Sequence, residues 1–515
     1  MNTSTLRKLN DTDKNNLFDN LREYIDISSI QLYNPIIKNF TENESHLLNT
    51  TFKNKFTLSK LTKNTHTDIH KKSKTPYLKH FFKTDIYNYY SKKTISKDSF
   101  LKISPIINPI DYILCKDSIN TPFTLPNFYI DTLIENVNDM NNPCYIDTFY
   151  SFLSSKLTET GKCPSFPIYY LSLSCIKKNY KHDITEDYSQ IQFNNSFQKN
   201  INKLFSIDEI EIDSDSCSDS SSNMQDEVET NNLIDTLLEL DTLEDLNETY
   251  VVNKVDKSSD HEINDFVKHI SANDSFEDII ENNNTFKYCN LQDYPVQLLF
   301  TEKLDMTLDD LIESDYTISA TEWKSILFQI CFGLAVAQKA HDFVHNDLHS
   351  SNIMFKKTDE KYLYYKYDNK CFKIPTFGKI TKIIDYGRAT FKYDNTIYFS
   401  AVFDVNGDAE GQYDYPEENS LKNCKVKPNM SFDLARLSTT IIEHHKPNTP
   451  IFKLLKQWIT DKNGYCLINE EDEFELYITI AKYIKNAVPK KQLTKPLFKG
   501  FLSRWVVPRI PSIYD

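Results

Sequence analysis

The chain has 515 residues, a formal charge of −14, 31 tyrosines and 33 phenylalanines, an aromatic load that excludes a wholly disordered protein and leaves room for two or three domains. Its ten cysteines are scattered, with no Cys-x-x-Cys, which points to free thiols in a reducing compartment. Met1 to Leu17 is polar and no apolar run approaches membrane-spanning length, so no membrane partner is expected and the expected location is the cytoplasm, the nucleus or the interior of a virion.

The charge is unevenly placed. Residues 51–100 carry twelve lysines against three aspartates, whereas residues 201–250 carry fifteen Asp and Glu against the single Lys203. That second stretch alone accounts for −14, so a basic N-terminal region and one acidic segment replace a uniformly acidic surface. The basic stretch 53–97 suits an acidic protein or nucleic-acid partner, and equally suits a solvated, lysine-enriched surface.

In chain order, residues 1–95 read as a basic extension, helical around Leu17 to Ile27 and otherwise loosely ordered. Phe100-Leu-Lys102-Ile103 fits a strand with one inward cation, and Ile113 to Lys116 fits almost as well. Asp147 opens Asp147-Thr-Phe-Tyr-Ser-Phe-Leu153 just ahead of an expected helix, and Lys162 to Tyr170 leads into a further strand. Asp213 to Ser222 is a Ser-Asp run of low complexity, and Leu233 to Leu246 has the spacing of a short amphipathic helix. Structure resumes near Tyr288 with Val296 to Leu304. Trp323, Ile326, Leu327, Ile330 and Leu334 then predict a long buried helix over Ala320 to Ala340. Ser319 and Glu322 have the spacing of a capping box at its start. Ile353 to Phe355 and Lys382 to Ile384 read as short buried strands, and Ile451, Leu454, Leu455, Trp458 and Ile459 as later helices.

Two motifs carry chemistry: His345-Asn-Asp347-Leu-His349-Ser-Ser-Asn352 and Ile384-Asp385-Tyr386-Gly387. Together they offer a carboxylate to orient a hydroxyl and two oxygen ligands for a hard cation, the parts that phosphoryl transfer needs. His341, His345 and His349 lie four apart, but Asn346 stands where a zinc protease needs glutamate, so zinc is not expected.

The pair of motifs resembles the protein kinases. The resemblance implies an α+β, bilobal fold with a small β-rich N-lobe and a larger helical C-lobe. It makes Asp347 the catalytic base, Asn352 and Asp385 the ligands of Mg²⁺, and Lys102 the residue that holds ATP phosphates, with Asp147 as its partner. His349 stands where lysine is usual, beside the transferred phosphate. Glu302 and Leu304 fall in the hinge that holds adenine, while His345, Gly387 and Asp433 take structural places. The implied organisation is a basic extension (1–95), N-lobe (96–180), acidic and largely disordered insertion (181–287), end of N-lobe and hinge (288–304) and C-lobe (305–515). Departures narrow the group. Eight glycines occur in all, none before Gly161, so the glycine-rich loop is missing or built without glycine. Lys356 to Ile380 is an insertion whose aromatic and β-branched residues predict a β-hairpin, and no Ala-Pro-Glu follows. These features are similar to haspin, a divergent eukaryotic kinase, and to kinase-like proteins of giant DNA viruses. Serine/threonine phosphorylation is the implied activity; a pseudokinase scaffold and a small-molecule phosphotransferase stay open beside it.

Overall fold

The computed structural model describes residues 5–40, 49–68, 79–114, 124–127, 135–211, 285–367, 369–405, 407–413, 428–469 and 472–503. The described chain forms one compact unit, Met1–Asp208 with Tyr288–Asp515. A second unit, Glu209–Lys287, is described only at its two ends. The Ser-Asp run, the Leu233 to Leu246 stretch and Lys116 lie outside the described residues.

The main unit opens with β1 (Leu6–Lys8), α1 (Asp11–Tyr24), β2 (Ile27–Gln31), β3 (Thr50–Phe52) and β4 (Phe56–Asp68), followed by β5 (Lys79–Asn88) and β6 (Lys93–Pro105). The sequence reading leaves residues 1–95 as a loosely ordered extension. Instead β4, β5 and β6 run antiparallel as part of the small lobe's main sheet. The alternation responsible is present in the residues: Leu58, Phe82, Thr84 and Ile86 are buried while Lys60 and Lys83 face water. The high lysine content hides that period. The helical expectation for this region also shifts, since α1 ends at Tyr24 and Ile27 begins a strand. Buried Asn20 of α1 clips the helix to β4, accepting from Leu61 N at 2.7 Å and donating to Leu61 O at 3.1 Å.

The lobe is completed by α2 (Pro143–Glu159), β7 (Tyr169–Asp183), β8 (Phe205–Glu211) and β9 (Thr285–Glu302). The main sheet runs β2-β7-β9-β6-β5-β4. β7 continues past residue 181 and pairs with β9 as far as Asp183↔Tyr288, so regular structure extends well into the segment expected to be insertion. α2 starts at Pro143, behind an Asn142 cap, which places Asp147 inside the helix rather than ahead of it. Almost every side chain of α2 is buried, with β3, β7, the 3₁₀ turn Pro35–Phe40 and residues 391–398 supplying rings against it. Phe52 stacks on Phe152 at 4.9 Å, and Phe40 lies 5.6 Å from Phe149.

After β9 come β10 (Met306–Thr307), α3 (Leu308–Glu313) and α4 (Ala320–His341). Fourteen of the 22 residues of α4 are buried, including Glu322 and Gln329, so this helix is wrapped by the large lobe rather than lying on it. Each fully buried leucine or phenylalanine there contributes about 1.5–3 kcal/mol. Gly333 is required: a Cβ would sit 2.9 Å from Ser165 Cβ. Ser319 caps the helix, accepting from Glu322 N at 3.2 Å, but the expected reciprocal bond does not form. The Glu322 carboxylate pairs with Lys379 at 2.8 Å instead. A full capping box stands one helix earlier, between Thr307 and Asp310 of α3.

β11 (Ile353–Lys357) pairs with β10 on one side and β14 (Lys379–Ile383) on the other. Between β11 and β14, β12 (Tyr362–Tyr367) and β13 (Lys370–Pro375) form the expected hairpin, which lays Tyr365 and Phe372 on α4 at Phe332 and Phe328. A second hairpin, β15 (Thr390–Tyr393) and β16 (Thr396–Phe399), follows Gly387. The rest is α5 (Phe432–Ile441), α6 (Pro450–Trp458), α7 (Glu473–Tyr483) and β17 (Leu502–Ser503). The architecture is α+β and bilobal. No helix among the described residues is long and apolar enough to cross a membrane.

Candidate active site

The loop carrying His345 to Asn352 is held from three directions. Asp342, in the left-handed region at φ 49°, ends α4. Asp433, in the first turn of α5, then accepts from His345 N at 3.0 and 3.1 Å and from Asn346 N at 3.1 Å. From the third side, His345 Nε2 donates to Ile384 O at 2.8 Å and Asn352 O accepts from Ile384 N at 3.1 Å, so the two motifs are tied backbone to loop. Burial holds the His345 ring below its ordinary pKa, consistent with a neutral imidazole donating through Nε2.

Asp385 and Lys102 meet across the lobes. Lys102 Nζ lies 2.7 Å from Asp147 Oδ2 and 2.8 Å from Asp385 Oδ1. Asp147 uses its other oxygen to accept from Tyr386 N at 2.9 Å. Desolvation by burial opposes charge on both carboxylates. At Asp147 it prevails and the carboxyl is raised; at Asp385 the Lys102 ammonium outweighs it and holds the group at about 2. Asp385 sits at φ 64°, a strained backbone for aspartate, and its side chain is 45% exposed in the cleft.

The remaining candidates fall as follows. Asn352 Nδ2 donates to Asp347 O at 2.9 Å and meets His349 Nε2 at 3.0 Å. His349, expected beside a phosphate, is thus turned onto Asn352. Gly387 N reaches Asp385 Oδ1 at 3.5 Å. Leu304, between β9 and β10, is buried. The Glu302 side chain does not face a ligand: it is buried, pairs with Lys382 at 2.8 Å and accepts from Ile168 N at 3.0 Å. Lys102 is brought to Asp147 and Asp385, while Lys116 is outside the described residues. Residues 69–78, between β4 and β5, also lie outside them. His341 packs edge-on against Tyr150, and among the described residues no group of three or more His, Cys, Asp or Glu could hold a metal ion.

Two contacts on Asp347 have no local sequence signal. Tyr477 of α7 donates its hydroxyl to Asp347 Oδ1, and Arg388 Nε stands 3.8 Å from Oδ2. An aromatic in an amphipathic helix reads as core, and Tyr477 is separated from Asp347 by 130 positions.

With this geometry in hand, similarity to known proteins becomes informative. Haspin, a serine/threonine-protein kinase, from Bos taurus is 41% identical over 152 residues, 26% of this chain and 19% of that protein. Mouse haspin is 39% identical over 107 residues, 20% of this chain and 14% of that protein. The matched residues resemble a divergent, haspin-like group of protein-kinase-like proteins. A protein of Acanthamoeba polyphaga mimivirus, whose name provisionally places it among serine/threonine-protein kinases, is 32% identical over 136 residues, 22% of this chain and 34% of that protein. The chain thus spans about a third or less of the length of these relatives. No family model matches it.

Asp433 supplies a pH test. Burial pushes its carboxyl up to about 7, against the His345 and Asn346 N–H groups that favour its charged form. Its folded pKa exceeds the unfolded value near 4, so its contribution to stability is complete below pH 4 and is lost as pH rises through 7. Asp433→Asn keeps one acceptor for the loop and removes the titration. The melting temperature of the wild type should therefore fall relative to D433N between pH 5 and pH 8, and parallel curves would exclude the effect.

Proposed function

We propose that this chain transfers the γ-phosphoryl group of ATP, in the presence of Mg²⁺, to a serine or threonine hydroxyl on a protein. The observation that carries the reading is Lys102 held between Asp147 and Asp385, next to a loop presenting Asp347 and Asn352. A fixed ammonium of this kind suits the α- and β-phosphates of a nucleotide.

The residues fit a hard divalent cation. Asn352 has Nδ2 engaged with Asp347 O and His349, which leaves its Oδ1, and Asp385 engages Lys102 and Gly387 through Oδ1, which leaves Oδ2. One amide oxygen and one carboxylate oxygen match the ligand preference of Mg²⁺. Bound Mg²⁺ would supply charge neutralisation along the phosphates. The chain's own work is positioning: Lys102 holds the phosphates, Asp347 orients the acceptor hydroxyl and takes its proton, and His345 and Asp433 keep the loop rigid. The adenine falls to the hinge around Leu304, through backbone groups, because the Glu302 side chain belongs to Lys382.

The basic region enters as a second-order proposal. Lys60, Lys63, Lys83 and Lys97 are exposed on β4 to β6, a surface suited to an acidic or nucleic-acid partner.

Calorimetry with ATP and Mg²⁺, on wild type and Asp385→Ala side by side, tests the reading. Binding that requires magnesium and is lost in the variant is expected. Absence of binding by the wild type would remove the phosphotransfer reading and favour a scaffold.

A further inference from the structure

The carboxylate proposed to face the acceptor hydroxyl is itself held. Tyr477 donates to Asp347 Oδ1. Tyr477 is 6% exposed, with its ring 5.9 Å from that of Phe432 and 4.9 Å from the Arg436 guanidinium. Both anchors lie on α5, the helix whose Asp433 grips the backbone of the same loop. One helix therefore fixes the loop's backbone and also the phenol that meets its carboxylate.

A ring clamped in this way is a fixed donor, not a plug that swings aside for substrate. Burial also keeps the phenol protonated, raising its pKa above the ordinary tyrosine value, with the Asp347 charge adding to the rise. The other contact to Asp347 is too long to replace it. Arg388 Nε, at 3.8 Å from Oδ2, exceeds hydrogen-bond distance and attracts the carboxylate without fixing its rotation. We propose that Tyr477 is a positioning residue for phosphoryl transfer, setting the orientation of Asp347 so that its remaining lone pairs meet the acceptor hydroxyl. The inference rests on the phosphotransfer reading above.

The test uses the full chain with Mg²⁺ and γ-³²P-labelled ATP, counting transfer to water, to the chain's own hydroxyls and to added casein. Tyr477→Phe keeps the ring and removes the donor. It should lower kcat by about tenfold to a hundredfold, the range for one hydrogen bond to a charged group, with the KM for ATP unchanged. Because Tyr477 acts only through Asp347, adding Y477F to Asp347→Asn should change the residual rate by less than about twofold. That non-additivity separates positioning from a structural role, which would lower the melting temperature and add to either background. A Y477F rate equal to wild type overturns the inference and leaves phosphotransfer standing. A faster Y477F also overturns it, showing that the hydroxyl obstructs the acceptor's place. No transfer by the wild type to any of the three acceptors removes both readings.

Discussion

Asp385→Ala should abolish magnesium-dependent turnover of ATP, by at least about a hundredfold, while the protein melts within a few degrees of wild type. Activity and stability separate here because of where the side chain stands. Asp385 is open to the cleft, and its pairing with Lys102 at 2.8 Å is one of two contacts that lysine makes. After the substitution Lys102 still has Asp147 at 2.7 Å, so no charge is left stranded. A partly exposed pair contributes at most about 1 kcal/mol. The pH dependence follows from the same contact. With its carboxyl held at about 2, below the unfolded value, Asp385 contributes stability above pH 4 that disappears only as pH falls through 2. The melting temperatures of wild type and variant should therefore run parallel between pH 5 and pH 8. Asp385→Asn, equal in shape, should be as inactive as the alanine variant. Turnover near the wild-type rate in either would overturn the proposed roles of Asp385 and Asn352.

The parts of this site that could be read from sequence are those held by short-range geometry. Asp347, Asn352 and Asp385 stand in two compact motifs flanked by a long apolar helix and by strands, and the structure draws them together through His345 and Ile384. Lys102 and Asp147 come from separate elements, and only the approach of α2 to β6 places one against the other. Tyr477 gave no signal, since its helical neighbours explain it as core. The β4–β5 strands were concealed for a different reason. A lysine on the outer face of a half-buried strand is ordinary, but twelve in fifty residues resemble a solvated extension more than a pleat. Composition outweighed period, although Phe82, Thr84 and Ile86 alternate cleanly.

Lys382→Met should destabilise the fold by about 3–5 kcal/mol, the cost of leaving one member of a buried ion pair without the other. Lys382 is fully buried in β14, with Nζ 2.8 Å from Glu302 Oε1 and 3.0 Å from Phe166 O. Glu302, the last residue of β9, also accepts from Ile168 N at 3.0 Å. The lysine thus joins the end of β9 to the strand that leads into Asp385, and to the segment entering β7. A sequence clue exists: a lone cation in Ile380-Thr-Lys382-Ile-Ile384, where both faces of the strand are otherwise suited to a core. Methionine fills the volume but leaves the Glu302 carboxylate in an apolar setting, where its desolvation is no longer offset. Adding Glu302→Gln should restore most of the loss. The neutral amide oxygen still accepts from Ile168 N, and the amide NH₂ can reach the Phe166 carbonyl that lysine vacates. Urea unfolding of the single and double variants measures both numbers. A single variant within about 1 kcal/mol of wild type would mean that Glu302 finds water or a proton when Lys382 is gone, and that the end of β9 is not locked by this pair.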